Sequence, residues 1–176
     1  GLGDVYKRQI ETTAKILCNE GDVIICEDPA FVGSLNAFRS YGVKLVGVPM
    51  DDDGMKPDIL EEALRSNPTT KFIYTIPNFQ NPTGRTTTLQ RRKEILALAE
   101  KYGVYILEDN PYGALRFEGE DVKSIKELDA KGSVLYCGTF SKTLAPGLRV
   151  GYLLGASDVV SKAVVGLQTS TVHTNI

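Results

Sequence analysis

Neither sign of charge is in excess: 20 Lys and Arg stand against 22 Asp and Glu, a formal net charge of −2 over 176 residues. That balance gives no electrostatic reason to expect nucleic acid or an anionic membrane as a partner. Apolar runs are short, and none reaches the ~18 residues of a membrane-spanning helix. Cysteine and histidine are scarce. Three cysteines (Cys18, Cys26, Cys137) and one histidine (His173) cannot build a disulfide framework. They also lack zinc-site spacing, so no metal is expected. Each cysteine sits in an apolar stretch, which reads as a reduced, buried thiol in a cytoplasmic protein. With His173 alone near the end of the chain, no Ser-His-Asp arrangement is possible; it reads as a surface or helix-end residue.

Phosphate-loop signatures are missing too. Gly1-Leu2-Gly3 is followed by Tyr6 where a dinucleotide fingerprint needs glycine, and there is no Walker A sequence. Ser141 and Lys142 are adjacent, so they do not form S-x-x-K. No initiator methionine opens the chain. Asp4-Val5-Tyr6-Lys7-Arg8-Gln9 reads as the translation of a transposon-end adapter used in sequencing libraries. Residues 1–9 are therefore expected to be non-native, and residues 10–176 to be part of one domain of a longer protein.

What is present is ordinary globular composition, 42% hydrophobic and 24% charged. A chain this long can bury roughly 70% of its unfolded surface around one core. Residues 10–17 read as the end of a helix, Asn19 to Asp22 as a turn and 23–26 as a buried strand. After Asp28-Pro29, Phe31, Leu35 and Phe38 recur at helical spacing, with Gly42 as C-cap. Residues 44–48 form the next strand and Asp51 to Gly54 a turn. Pro57 and Asp58 open a helix with an apolar side of Ile59, Leu60, Ala63 and Leu64, ended by Asn67-Pro68.

Residues 71–76 are a strand that runs into Pro77-Asn78-Phe79-Gln80-Asn81-Pro82-Thr83-Gly84, too rich in Pro and Asn to be regular. Residues 88–102 form the clearest helix. Ile95, Leu98, Ala99 and Tyr102 line one face, Arg91, Arg92, Lys93 and Glu94 are expected to be solvated, and Gly103 caps the end. Residues 104–107 are a strand ending at Glu108-Asp109. Strands at 133–139 and 150–154 and a helix at 156–167 follow. Alternating strands and helices, with several strands apolar on both faces, predict an α/β fold: a mainly parallel sheet sandwiched by helices. There is no repeat, low-complexity segment or interdomain linker.

Ligands bind such sheets beyond the carboxyl ends of the strands. Three unusual loops fall there: 78–84, Asp109-Asn110-Pro111-Tyr112 and Thr139-Phe140-Ser141-Lys142. Arg149 follows the bend Ala145-Pro146-Gly147. A carboxylate can hold a cationic ring nitrogen, and a lysine of lowered pKa can attack a carbonyl. Hydroxyls and an arginine can hold a phosphate dianion, and a phenol with an amide can tune a phenolate oxygen. The ligand so described is pyridoxal phosphate.

The segments EDPAFVG (27–33), YTIPNFQNPTG (74–84), YILEDNPYGALRF (105–117) and GTFSKTLAPGLRVGY (138–152) occur in that order. From Ile10 to Ile176 the chain resembles the class I/II aminotransferases, the fold-type I enzymes that use pyridoxal phosphate. It looks most like the branch of 2-aminoadipate and kynurenine aminotransferases and the aminotransferase-like half of MocR-type regulators. The resemblance implies an incomplete large, cofactor-binding domain. Lys142 would bond the cofactor's aldehyde and serve as the base that moves the substrate Cα proton, its pKa lowered by desolvation and nearby positive charge. Asp109 would pair with the pyridine nitrogen, while Glu108 points the other way by strand alternation. Asn81 and Tyr112 would hydrogen-bond the phenolate oxygen. Phe31, a position where the family often has Tyr, would stack on the ring. Ser141, Arg149 and Thr139 would bind the phosphate.

The resemblance also implies a homodimer acting on an amino acid and a 2-oxo acid by ping-pong half-reactions. A phosphate-binding loop before Ile10, an N-terminal arm and a small domain past Ile176 are expected outside this stretch, which should leave apolar patches bare. Two alternatives stay open: the sensor domain of a MocR-type transcription regulator, or a pyridoxal-phosphate-dependent lyase on the same fold.

Overall fold

The computed structural model describes residues 5–148 and 150–169. Its strands are β1 (Val23–Asp28), β2 (Lys44–Asp51), β3 (Gly54–Met55), β4 (Thr70–Thr75), β5 (Tyr105–Asp109), β6 (Val134–Thr139) and β7 (Gly151–Leu154). They form one sheet in the order β3-β2-β1-β4-β5-β6-β7. The five central strands are parallel, as the two-faced apolar runs predict, and the short edge strands β3 and β7 are antiparallel to their neighbours.

Helices α1 (Val5–Leu17), α2 (Val32–Arg39), α3 (Pro57–Ser66), α4 (Leu89–Tyr102), α5 (Ile125–Leu128) and α6 (Ser157–Gln168) cover the sheet. On one face Ile25, Ile73 and Ile106 pack against Leu60 of α3, Ile95 of α4 and Ile125 of α5. On the other, Ile24, Phe72 and Leu107 pack against Ile10 of α1, Phe38 of α2 and Val159 of α6. Phe38 sets its ring edge-on to Phe72 and Tyr74, with centroids 5.5 and 5.2 Å away. Each large side chain withdrawn in this way contributes roughly 1.5–3 kcal/mol. The three cysteines are free; Cys26 and Cys137 are buried and Cys18 is half-buried. Burial pushes the Cys18 and Cys26 thiols up to about 12, as inert packed thiols require.

The chain turns back on itself between β1 and β4. From β1 it moves through α2, on one face, to β2. From β4 it moves through α4, on the opposite face, to β5. Such a reversal opens a crevice at the carboxyl edge of the sheet.

Most expected elements are present within a residue or two, and the differences have local causes. Helix α1 starts at Val5, so residues 5–9 continue the helix read from Ile10. The turn at Asp51 to Gly54 is a tight hairpin: β2 runs on to Asp51, and Gly54 (φ 124°) starts β3. Helix α2 ends at Arg39 with Ser40 as its C-cap, two residues before Gly42. Helix α4 keeps its expected ends, with Thr88 accepting from the Arg91 N–H and Gly103 in the left-handed region at φ 65°. Helix α5 is an addition. It is short, and Ser124 and Glu127 hold it in a reciprocal capping box.

The expectation of a solvated run at Arg91 to Glu94 is corrected. Arg92 is fully buried, and Arg91 is mostly buried against Asp51. Residues 92, 95, 96 and 99 share one buried face of α4, so Arg92 lies under the helix rather than on its wet side. Its guanidinium donates to the carbonyls of Thr87 (3.0 Å), Val122 (3.2 Å), Lys123 (3.0 Å) and Pro77 (2.9 Å) and to Asn78 Oδ1 (2.7 Å). All five N–H groups of the side chain are thereby satisfied.

Candidate active site

Four parallel neighbours, β1, β4, β5 and β6, end on the same edge of the sheet, and each leads into a segment that carries predicted site residues. Phe31 follows β1 and stands at the N-cap of α2, half-buried against the aromatic core. Asn81 lies in the loop after β4. Asp109 is the last residue of β5, with Tyr112 three residues on, and Thr139 is the last residue of β6.

Asp109 is fully buried. It belongs to the face covered by α2, where Tyr74 Oη donates to its Oδ2 at 2.8 Å and Ser34 of α2 bonds Tyr74 Oη at 2.8 Å. Burial, and then the charge of Asp109, raise the Tyr74 phenol well above its ordinary pKa, so it stays a donor. Glu108 faces the other way, as strand alternation predicts. It accepts from the N–H groups of Ile125 (3.0 Å) and Lys126 (2.8 Å) at the start of α5. Burial raises its pKa, and those two N–H groups with the Arg92 charge oppose the rise. Glu108 is a structural carboxylate, and Asp109 lies on the opposite face of the sheet beside Tyr74.

The structure brings Asn81 and Tyr112 together. Both line a cavity of about 600 Å3 with Phe79, Pro82, Leu115 and Phe117. The Asn81 loop is held rigidly. Arg92 grips Asn78, and Asn78 Nδ2 donates to Asn110 Oδ1 at 3.1 Å. Phe79 takes a left-handed φ of 49° with the Arg116 guanidinium 4.7 Å above its ring. Asn110 also accepts from the Gly113 N–H (3.0 Å) and donates to Tyr136 Oη (2.8 Å), which fixes the turn that presents Tyr112.

Thr139 and Ser141 are brought together as well. Their hydroxyls are 3.0 Å apart, and the Ser141 N–H donates to Thr139 Oγ1 at 3.1 Å. Thr139 Oγ1 donates to Ser141 Oγ, whose own hydroxyl proton can be given to an anion. Lys142 follows Ser141 and is exposed. Arg149 and His173 lie outside the described residues. Among the described residues, no group of three or more His, Cys, Asp or Glu side chains could hold a metal ion, and no helix is long and apolar enough to cross a membrane.

The family model for aminotransferase class I and II matches residues 5–174. The chain belongs to the class I and II aminotransferases. The aromatic-amino-acid aminotransferase 1 of Thermococcus litoralis is 42% identical over 173 residues, covering 96% of this chain and 42% of that protein. An HTH-type transcriptional regulator of Bacillus subtilis, YisV, is 42% identical over 154 residues, 87% of this chain and 32% of the regulator. The crystal structure of Pyrococcus horikoshii kynurenine aminotransferase, in complex with PMP, superposes with a TM-score of 0.90 at 39% identity, over 96% of this chain and 43% of that one. The chain thus spans less than half the length of each of these three proteins.

Several residues that shape the candidate site were not singled out from sequence. Tyr74 and Ser34 hold Asp109, while Glu27, Gln80 and Arg92 hold the Asn81 loop. Helical spacing marks Arg92 as inward-facing, and strand alternation puts Tyr74 on the α2 side. The contacts themselves join residues 14 to 53 positions apart and follow only from the register of β1, β4 and β5.

Proposed function

We propose that the chain is the large-domain portion of a pyridoxal-phosphate-dependent aminotransferase, which moves an amino group from an L-amino acid to a 2-oxo acid as a cytoplasmic homodimer. The observation that carries this reading is Asp109, a fully buried carboxylate at a strand end, held by a phenol on the side of the crevice. A carboxylate held there suits a protonated pyridine nitrogen as a partner. The rest of the donor set suits the same ligand. A phenol and an amide border one cavity, and paired hydroxyls sit beside a lysine. Exposed apolar side chains, Leu144 at 71% and Val165 at 61% among them, suit a surface covered in a larger assembly.

When bound, pyridoxal phosphate supplies a carbonyl for amines and a ring that takes up the electrons left when a substrate Cα–H bond breaks. The roles of this chain's residues follow from their chemistry. Asp109 would keep the ring nitrogen protonated. Tyr112 Oη and Asn81 Nδ2 would donate to the ring oxygen, and Phe31 would cover one face. Thr139, Ser141 and Arg149 would hold the phosphate. Lys142 Nζ would be the amine that holds the aldehyde and the base that carries the substrate Cα proton.

Borohydride reduction of the full-length protein followed by peptide mapping tests the reading. A reduced adduct on Lys142 is expected; an adduct on another residue, or none, overturns it. The identity to the Bacillus subtilis regulator supports a second reading, a sensor domain joined to a DNA-binding module. Operator binding by the full-length protein without production of a 2-oxo acid from an amino donor decides for that one.

A further inference from the structure

Glu27 is a buried carboxylate placed where the sheet reverses direction. Backbone pairing between β1 and β4 stops at Cys26 and Tyr74. Beyond that point the two chains part, one toward α2 and Phe31, the other toward Asn81 and α4. Glu27 takes over where the pairing ends. It accepts from the Thr75 hydroxyl, from the Ile76 N–H at 3.3 and 3.2 Å to its two oxygens, and from Gln80 Nε2 at 3.0 Å. Gln80 extends the tie. Its amide nitrogen also donates to the Pro29 carbonyl at 2.8 Å, and its oxygen accepts from the N–H and hydroxyl of Thr83 at 2.9 and 2.7 Å.

Every polar atom of the Gln80 side chain is used, and both residues are only 1% exposed. The network grips the Asn81 loop on both sides of Asn81, at Gln80 and Thr83. It anchors that loop to Pro29, two residues before Phe31. All the partners of Glu27 are donors, and they oppose the burial that favours its protonated form. The titratable groups that face it include Cys26 on its own strand, Tyr74 on β4 and Asp109 across β4.

We propose that Glu27, acting through Gln80, is a positioning residue: the carboxylate–amide pair sets the separation of Asn81 from Phe31 across the crevice, and with it the hydrogen bond from Asn81 to an anionic ring oxygen of a ligand stacked on Phe31. This rests on the reading of the site as a pyridoxal phosphate site. A slack loop weakens the bond from Asn81, and the ring oxygen then holds its proton to higher pH.

The test is a pH titration of the visible absorbance of the cofactor bound to the full-length protein, with pyridoxal phosphate affinity and apoprotein melting measured in parallel. Glu27→Gln and Gln80→Met are each expected to raise the titration midpoint by about half a unit or more, roughly threefold or more in the proton equilibrium. Asn81→Ala is expected to raise it further. Adding Glu27→Gln to Asn81→Ala should give no additional shift, because both act through one contact. Gln80→Met leaves Thr75 and Ile76 on the carboxylate and provides the result should Glu27→Gln fold poorly. Midpoints unchanged in both single variants, or shifts that add to that of Asn81→Ala, overturn the inference alone. Absence of a visible band in the wild-type protein overturns the cofactor reading, and the inference with it.

Discussion

Tyr74 Oη lies 2.8 Å from Asp109 Oδ2, and both residues are closed off from solvent. The geometry orients a chain of hydrogen bonds. An ionised carboxylate only accepts, so the Tyr74 hydroxyl proton goes to Asp109. Tyr74 Oη can then only accept from Ser34, and the Ser34 hydroxyl donates to it. Bonds aligned head to tail strengthen one another, and a bond to a charged acceptor is among the stronger ones.

Tyr74→Phe removes the donor and leaves the carboxylate buried. A hydrogen bond to a charged group contributes about 1.5–3 kcal/mol, so urea unfolding should show a loss in that range. Under the proposed function, the dissociation constant for pyridoxal phosphate should also rise, about tenfold for each 1.4 kcal/mol felt by the ring nitrogen. Fluorescence titration of the apoprotein measures it. Wild-type affinity in this variant would mean that Tyr74 does not tune Asp109.

Arg92 supports a second prediction. Four carbonyls and the Asn78 amide oxygen depend on its guanidinium. Arg92→Met takes this donor from all five acceptors, of which the Pro77 carbonyl keeps the Thr87 N–H, and should cost about 3–5 kcal/mol by chemical denaturation. Arg92→Lys keeps the charge but offers three donors in place of five and without the planar fork, so most of the loss should remain. Equal stability of Arg92→Lys and wild type would show that charge, rather than the forked donor geometry, is what the site uses.

The contrast between Arg92 and the strands explains what was legible in the sequence. Two-faced apolar runs such as 23–26 can persist only inside a covered parallel sheet, so the layer order could be read directly. The loop residues Asn81, Asp109, Tyr112, Thr139, Ser141 and Lys142 stood out because Pro, Asn and hydroxyl-rich segments directly follow such strands. Arg92 was misread because residue type was weighed above helical spacing: it stands three residues before Ile95 on the inward face of α4. Glu27 and Tyr74 sit at strand ends that look continuous with the core, and their partners are 48 and 35 residues away. No local pattern encodes those distances; strand register does.

Gly138 and Gly151 allow β6 and β7 to approach closely beside the Thr139 turn. A Cβ on Gly138 would run into the Tyr152 ring, which stacks near Tyr136 at 6.1 Å. Gly138→Ala should therefore displace Tyr152 and destabilise the edge strand by about 1–3 kcal/mol, the usual range for overpacking. Thermal melting measures the loss, and the double variant Gly138→Ala/Tyr152→Ala should recover part of it. A double variant no better than the sum of the singles would locate the strain elsewhere.

Two buried carboxylates give stability opposite dependences on pH. Burial, opposed by Thr75, Gln80 and the Ile76 N–H and aided by the charge of Asp109, pushes Glu27 up from 4.5 to about 7. The folded protein therefore binds more protons than the unfolded chain between those values, and stability falls as pH rises through that window. Asp129 behaves in the reverse sense. Burial alone would raise its pKa, but the Lys126 ammonium at 2.8 Å and the N–H groups of Val134 and Ser133 outweigh it and hold it down from 3.8 to about 2. That contribution, about 2 kcal/mol, is complete above pH 4 and is lost as pH falls toward 2. Urea midpoints measured from pH 3 to 8 should accordingly be highest near pH 4–5 for these two groups. Glu27→Gln should flatten the decline between pH 5 and 7, and Asp129→Asn should flatten the acid limb. A decline toward pH 7 that Glu27→Gln leaves unchanged would mean that the carboxyl keeps an ordinary affinity for its proton in spite of its burial.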